Sequence, residues 1–334
     1  MEAIERHAGE FCFYEIIAGS YRDLRKSYEC VHPTEIVVPT VREFSEDLVL
    51  EWVCGYDLLN TRETFVPLNA VICPYRSQNG SMLFYASTNG LASGNTLTEA
   101  LCHAMCEVIE RDAQAISGAR SQIRPLIRDL LGLETGTTNA HSANRQIALE
   151  GLPASRGHPN HETQEGWSQR ISADLTSTAG IATIDCTVVE QRSDGSADAY
   201  GGCGSHPDSR VALLRAITEA AQSRITCIQG GREDLPQIMR HKTCREVGDL
   251  FSDGDCISFR DLPTFEHDYI DQDVELLLSR LPLYGLRQVI AFDMTHPDVG
   301  LPVVRIVAPL AETWPVFHLH TGRGVFGPRI TQEL

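Results

Sequence analysis

Apolar positions recur at helical spacing over Met1–Phe13, and short runs with the character of strands follow. The β-rich stretches Glu35–Pro39, Leu48–Val53 and Phe65–Pro74 predict strands, the last through its Val, Ile and Leu content. A Gly/Asn/Ser segment, Ser87–Thr96, leads into a strong helix predicted over about Thr98–Ile116. From Leu131 to Glu165 apolar residues thin out and Gly, Thr, Asn, His and Ser take over, which predicts a flexible surface insertion rather than a domain boundary. Apolar runs resume at Ile181–Val189, and a second Gly-rich turn, Gly201–Asp208, precedes a helix over Ser209–Cys227. The last third predicts a short helix near Asp271–Leu281 and strands at Gln288–Met294 and Pro302–Pro309. Strands and helices mix without a regular βαβ rhythm, so the expected class is α+β.

Composition narrows what such a fold can do. The 334 residues suffice for a sizeable core, and 42% hydrophobic with 22% charged residues reads as globular. A formal charge of -17 repels phosphate backbones and anionic lipid heads, so neither nucleic acid nor a membrane is an expected partner. A nucleotide that brings a divalent cation stays compatible with that charge, because the metal bridges carboxylate to phosphate. Eleven scattered cysteines without a Cys-x-x-Cys pair point to a reducing, cytoplasmic setting rather than a disulfide framework or zinc ribbon. No P-loop occurs, so a nucleotide would have to be held in another way.

One short pattern carries chemistry. Glu2-Ala3-Ile4-Glu5-Arg6 and Glu107-Val108-Ile109-Glu110-Arg111 are both Glu-x-Ile-Glu-Arg, and Glu219-Ala220-Ala221-Gln222-Ser223-Arg224 is a looser third version. At about 100° per residue, His103, Glu107 and Glu110 fall within an arc of about 80° from Glu99. Arg111 lies beside that arc, and Leu97, Ala104, Met105 and Val108 occupy the opposite, core-directed side. Like charges stacked at i, i+3 and i, i+4 repel by a few tenths of a kcal/mol per pair. A cation between two such faces would relieve that repulsion, and hard oxygen ligands suit Mg2+. The arginines are placed to fork onto phosphate oxygens. A lone Glu-x-x-Glu-Arg on a helix is usually a solvated face, and two copies leave the solvated and the metal–triphosphate readings level.

At these residues the chain resembles the YcaO family. Ser87-Thr88-Asn89-Gly90-Leu91-Ala92-Ser93-Gly94-Asn95-Thr96, continuing through Glu99 to Glu107–Asp112, resembles the family's second ATP-binding motif, and Glu2–Arg6 resembles its first. Arg215–Arg224 with Gly230–Leu235, Asp174–Ile181, and Leu301-Pro302-Val303-Val304-Arg305 resemble further blocks, so the likeness spans nearly the whole chain. The resemblance implies a YcaO-type ATP-binding fold, a single domain over 1–334 lacking the family's N-terminal segment, with 131–165 as a flexible insertion. It implies ATP and Mg2+ as cofactors. Asn95, Glu99, Glu107 and Glu110 would hold metal and nucleotide, with Arg111 on the phosphates and Glu2 and Glu5 completing the metal site from the facing helix. Arg215, Glu219 and Gln222 would either line the nucleotide pocket or belong to a helix that packs nearby, and His103 would be a plain helix-surface residue.

The activity so implied is ATP-dependent phosphorylation of a peptide or protein backbone amide, leading to a thioamide or an azoline. A partner protein delivering peptide or sulfur, and a homodimer, come with the resemblance. Two departures matter: the Ser four positions before the first Glu would precede Met1, and Gly324–Ile330 lacks the proline-spaced tail of azoline-forming members. The first keeps a non-catalytic scaffold as an alternative, and the second leans toward thioamidation. A metal-dependent hydrolase is the other alternative. Pro309-Leu310-Ala311-Glu312 stands where many relatives have Pro-Gly-Leu-Glu.

Overall fold

A computed structural model describes residues 2–11, 14–36, 43–77, 80–84, 86–130, 144–148, 169–191, 197–229 and 256–312. The predicted features at Gly230–Leu235 and Gly324–Ile330, and most of 131–165, lie outside them. The chain divides into two compact units, Met1–Ile116 with His267–Leu334 and Ser117–Glu266. Each has a sheet with helices, and the class is α+β, as the irregular alternation of elements predicts.

In the first unit the sheet order is β1(Ile16–Ser20), β2(Val49–Asp57), β10(Ile290–Asp293), β11(Val303–Val307), β4(Leu91–Ser93), with β3(Arg62–Pro67) also on β2. All these pairings are antiparallel. All five residues of β11 are buried, so this strand is covered on both faces. Leu50, Trp52, Val66, Ile290, Phe292, Val303 and Val307 lie in one apolar cluster, which Ala8 of α1(Glu2–Gly9) joins. The predicted strand Phe65–Pro74 ends early. Pro67 leads into a 3-10 turn, Leu68–Ala70, whose Asn69 Oδ1 accepts the Leu83 and Phe84 N–H groups at 3.3 and 3.4 Å. A continuous apolar run signals burial, and periodicity cannot say whether a strand or a compact turn delivers it. Pro33–Glu35 is a 3-10 turn with Pro at its start, and most of the strand predicted over Glu35–Pro39 lies outside the described residues.

Helix α3(Leu97–Leu130) outruns its predicted end at Ile116. It continues through Gly118, a residue that costs about 1 kcal/mol relative to Ala inside a helix and so argues for a stop on propensity alone. Ala104, Met105 and Val108 are buried as the wheel predicts, but Leu97 at the first turn is 44% exposed and takes no part in the core.

The second unit carries β8(Ala197–His206), β7(Ala182–Gln191), β6(Gln169–Asp174), β5(Arg145–Ala148) and β9(Cys256–Ser258) in that order, antiparallel except for the β5–β9 pair. The strand β5 lies within the stretch that composition assigned to an insertion. The predicted Gly-rich turn Gly201–Asp208 is instead mostly strand β8, and its glycines have another purpose. A Cβ on Gly202 would lie 2.2 Å from the Ala220 nitrogen, and one on Gly204 2.2 Å from the Ala212 oxygen. Both atoms are backbone of α4(Ser209–Gln229), so the glycines let helix and strand approach closely. Replacing Gly204 by Ala should therefore destabilise the second unit by about 2 kcal/mol, as overpacking does. Urea unfolding followed by a signal from this unit should show an earlier midpoint at unchanged slope. An unchanged midpoint would mean that the two elements can separate freely.

Candidate functional site

The loop between β4 and α3 anchors both carboxylate-bearing helices to one residue. Ser93, the last residue of β4, donates its N–H and its O–H to the Glu5 carboxylate of α1, at 2.9 and 2.5 Å. Its carbonyl oxygen lies 3.2 Å from Nδ1 of His103 on α3. A carbonyl only accepts, so in that contact Nδ1 carries the proton. The expectation that His103 is a plain surface residue is thus corrected: it is half-buried and ties α3 to β4. Further down the loop the Glu99 carboxylate accepts the Asn95 backbone N–H at 2.9 Å and its side-chain amide at 3.0 Å. Thr96 Oγ1 accepts the Glu99 N–H at 3.1 Å, so Thr96 and Glu99 together satisfy donors at the helix start in the manner of a capping box.

The centre of the α3 face is buried at Glu110 and partly exposed at Glu107 and Arg111. The Glu110 side chain is 4% exposed, Glu107 21% and Arg111 30%. Arg111 stands over both carboxylates, with Nη2 3.5 Å from Glu110 and Nε 3.9 Å from Glu107. It also donates from Nη1 to Gln114 Oε1 at 3.2 Å. The next residue, Asp112, is fully buried and accepts hydrogen bonds from the Tyr284 hydroxyl and, at 2.6 Å, from the Glu312 N–H. Asp112 thereby fastens the segment 309–312 to α3. Within that segment Leu310 has φ +70°, the left-handed region that favours glycine, so the turn keeps a glycine-type conformation with a leucine in it. Holding it there costs roughly 1 kcal/mol.

Arg305 on β11 was not picked out from the sequence as a site residue. It is 4% exposed, and its Nε and Nη2 both donate to the Ala70 carbonyl, at 3.2 and 2.8 Å. Burial pushes its pKa down to about 10, which leaves it charged at neutral pH, and the negative charge of Glu107 works in the opposite direction. The signal was present in the chain: a single arginine inside the otherwise apolar run Val303–Val307.

The predicted residues therefore divide into groups. Glu5, Asn95, Glu99, Glu107, Glu110 and Arg111 lie in the first unit, with Glu5 and α3 meeting at Ser93. Glu2 is on α1, with its side chain outside the described residues. Arg215, Glu219 and Gln222 belong to α4 of the second unit, where Glu219 accepts the Cys203 N–H of β8 at 2.7 Å. The donor set suits a Mg2+–nucleotide pair: Glu5, Glu107 and Glu110 offer hard oxygens, Arg111 is a guanidinium within reach of two of them, and Arg305 Nη1 is buried with no hydrogen-bond partner among the described residues. Among the described residues no helix is long and apolar enough to cross a membrane, and no cysteine forms a disulfide.

Comparison with known proteins points the same way. The family model for YcaO cyclodehydratase, ATP- and Mg2+-binding, matches residues 1–312. An uncharacterized protein of Methanothermobacter thermautotrophicus is 30% identical over 338 residues, which cover 97% of this chain and 80% of that protein. YcaO from Methanopyrus kandleri, solved bound with AMPPCP and Mg2+, superposes with a TM-score of 0.70 at 21% identity, over 96% of this chain and 77% of its own. A heterocyclase solved in complex with substrate and cofactor gives a TM-score of 0.72 at 20% identity, over 93% of this chain but only 42% of its own. The chain thus spans less than half of that enzyme, and at such identities the superpositions speak for the fold alone. With the family model running from the first residue to Glu312, across both units, this chain belongs to the YcaO family, whose members bind ATP and Mg2+.

Proposed function

We propose that this chain uses ATP and Mg2+ to phosphorylate the oxygen of a peptide or protein backbone amide, and that the activated amide goes on to a thioamide, with an azoline as the alternative product. The observation that carries the reading is the carboxylate pair Glu107 and Glu110 with Arg111 across both. A partly buried acidic pair is unfavourable unless it has cationic partners, and α1 brings Glu5 to the same end of β4 that α3 touches through His103.

An amide resists attack because resonance stabilises it. Transfer of a phosphoryl group to its oxygen turns that oxygen into a leaving group, and sulfide or a neighbouring side chain can then add at carbon. Mg2+, when bound, offsets charge on the triphosphate and on the group in transfer. The chain's residues have the remaining work of position and charge. Glu5, Glu107 and Glu110 hold the metal, and Glu2 joins them from the same helix as Glu5. Arg111 binds phosphate oxygens as a fork. Asn95 and Glu99 shape the entry to α3 against the nucleotide, and Ser93 and His103 keep α1 and α3 in register. For Arg215, Glu219 and Gln222 of α4 the reading leaves two roles level, nucleotide binding or packing of that helix. A peptide substrate, a partner protein that delivers peptide or sulfur, a homodimeric state and a cytoplasmic setting belong to the same reading.

The test is to incubate the chain with ATP, Mg2+, sulfide and a panel of peptides, following phosphate release and peptide mass. A gain equal to exchange of oxygen for sulfur supports thioamidation, and loss of one water supports azoline formation. Nucleotide binding without turnover on any peptide, with or without added partner proteins, would favour the scaffold reading. Peptide cleavage without nucleotide would favour a metal-dependent hydrolase.

A further inference from the structure

One side of α4 has no use in the proposed chemistry. Its inner side is settled, because Ala212, Leu213, Ala216 and Ala220 lie in one apolar cluster with Ile184 and Val188 of β7. The outer side carries three large apolar residues in the open: Leu214 is 62% exposed, Ile225 52% and Ile228 60%. Single exposed apolar residues are ordinary, but these are aligned. At about 100° per residue, Leu214, Thr218, Ala221, Ile225 and Ile228 fall within an arc of about 80°, at alternating spacings of four and three. Thr218 Oγ1 donates to the Leu214 and Arg215 carbonyls, at 2.9 Å each, so the hydroxyl in this stripe is satisfied within its own helix.

Charge and symmetry choose the occupant. The chain carries -17, so two copies repel wherever acidic surfaces meet. Helix α4 holds three arginines and one glutamate, and Glu219 gives its carboxylate to the Cys203 N–H of β8 at 2.7 Å. The acids at the margins are matched, Asp208 and Glu266 by Arg210 and Glu190 by Arg224. A second copy therefore reaches this stripe without setting acid against acid. A twofold axis at Ala221 places Leu214 opposite the second copy's Ile228 and Thr218 opposite its Ile225. Large residues then meet at the ends, and the small Ala221 at the centre lets the backbones approach. The two copies of Arg215 stand about 18 Å apart along the axes, beyond the screening length of about 10 Å. We propose that α4 is the interface of a homodimer, packed antiparallel on the α4 of a second copy of this chain. A twofold contact uses the same surface on both subunits, so a self-complementary stripe is what it requires. The inference rests on the proposed function for its homodimeric state alone, and not for the amide chemistry.

The experiment is sedimentation equilibrium of the full chain over a range of concentrations, with calorimetric ATP binding in the presence of Mg2+ on the same samples. The wild type should be a dimer, and Leu214→Glu or Ile228→Lys should each weaken dimerisation at least about 10-fold, since each sets a charge against an apolar residue in the contact. The two substitutions in one chain should give a dimer at least about 3-fold tighter than either alone, because antiparallel pairing sets each new carboxylate opposite a new ammonium. All three positions are exposed, and circular dichroism checks that each variant is folded; if either charged variant does not fold, Ile225→Ser decides by the same loss of dimer. A wild-type monomer, a folded single variant that dimerises as the wild type does, or a double variant no tighter than the singles would overturn the proposal. A wild-type monomer that binds ATP with Mg2+ overturns the interface and leaves the proposed function standing, whereas a dimer with this variant pattern that binds no ATP supports the interface and rejects that function.

Discussion

Replacing Glu107 and Glu110 together by Gln should weaken Mg2+-dependent ATP binding at least about 100-fold, which is about 3 kcal/mol. The substitution keeps shape and removes two hard anionic ligands, so the loss should fall on the metal-dependent part of binding. ATP titrated without Mg2+ should change little, or bind slightly better, because two negative charges near the phosphates are gone. The Glu110 side chain is 4% exposed, so a thermal melt is needed to separate a loss of binding from a loss of fold. Calorimetry with and without Mg2+, beside a thermal melt, reads all of this. Full Mg2+-dependent affinity in the double variant would remove the site from this face of α3.

Asp112→Ala should be the most damaging single substitution for the fold, at about 4 kcal/mol. Asp112 is fully buried and accepts hydrogen bonds from the Tyr284 hydroxyl and the Glu312 N–H. Alanine leaves both donors without their acceptor and opens a cavity between them. Asp112→Asn keeps an acceptor oxygen and should recover part of the loss, since hydrogen bonds to a neutral acceptor are weaker than those to a charged one. Denaturant midpoints for the two variants give the ranking. Equal stability of the Ala variant and the wild type would mean that water replaces the carboxylate, and that the segment 309–312 is not held through this contact.

Local chemistry made a good part of this protein legible. The amphipathic repeat from Thr98 to Ile116 lies within α3, and Ala104, Met105 and Val108 are buried on the side the wheel assigns to the core. Helical geometry alone groups Glu99, His103, Glu107 and Glu110, since neighbours three and four apart share a face whatever else the chain does. Together with the Glu-x-Ile-Glu-Arg copies, this carried the family resemblance that the comparison bears out over residues 1–312.

Four features were settled only by tertiary structure. Glu5 meets Ser93 across 88 positions of chain, and Asp112 meets Glu312 across 200; no periodicity carries such contacts. The glycines of Gly201–Asp208 read as a turn, because backbone freedom is their local signature, yet Gly202 and Gly204 stand in a strand where a helix backbone leaves no room for a Cβ. The run Phe65–Pro74 read as a strand, because apolar character reports burial and not the path by which the chain achieves it. Arg305 sat in plain view in β11, but its meaning depends on the Ala70 carbonyl and on a strand covered on both faces. The sequence by itself thus determined the main helices if not their ends, the carboxylate face and the family. Only the folded chain decided which charges are buried and what stands beside them, because burial and long-range pairing are properties of the packed whole.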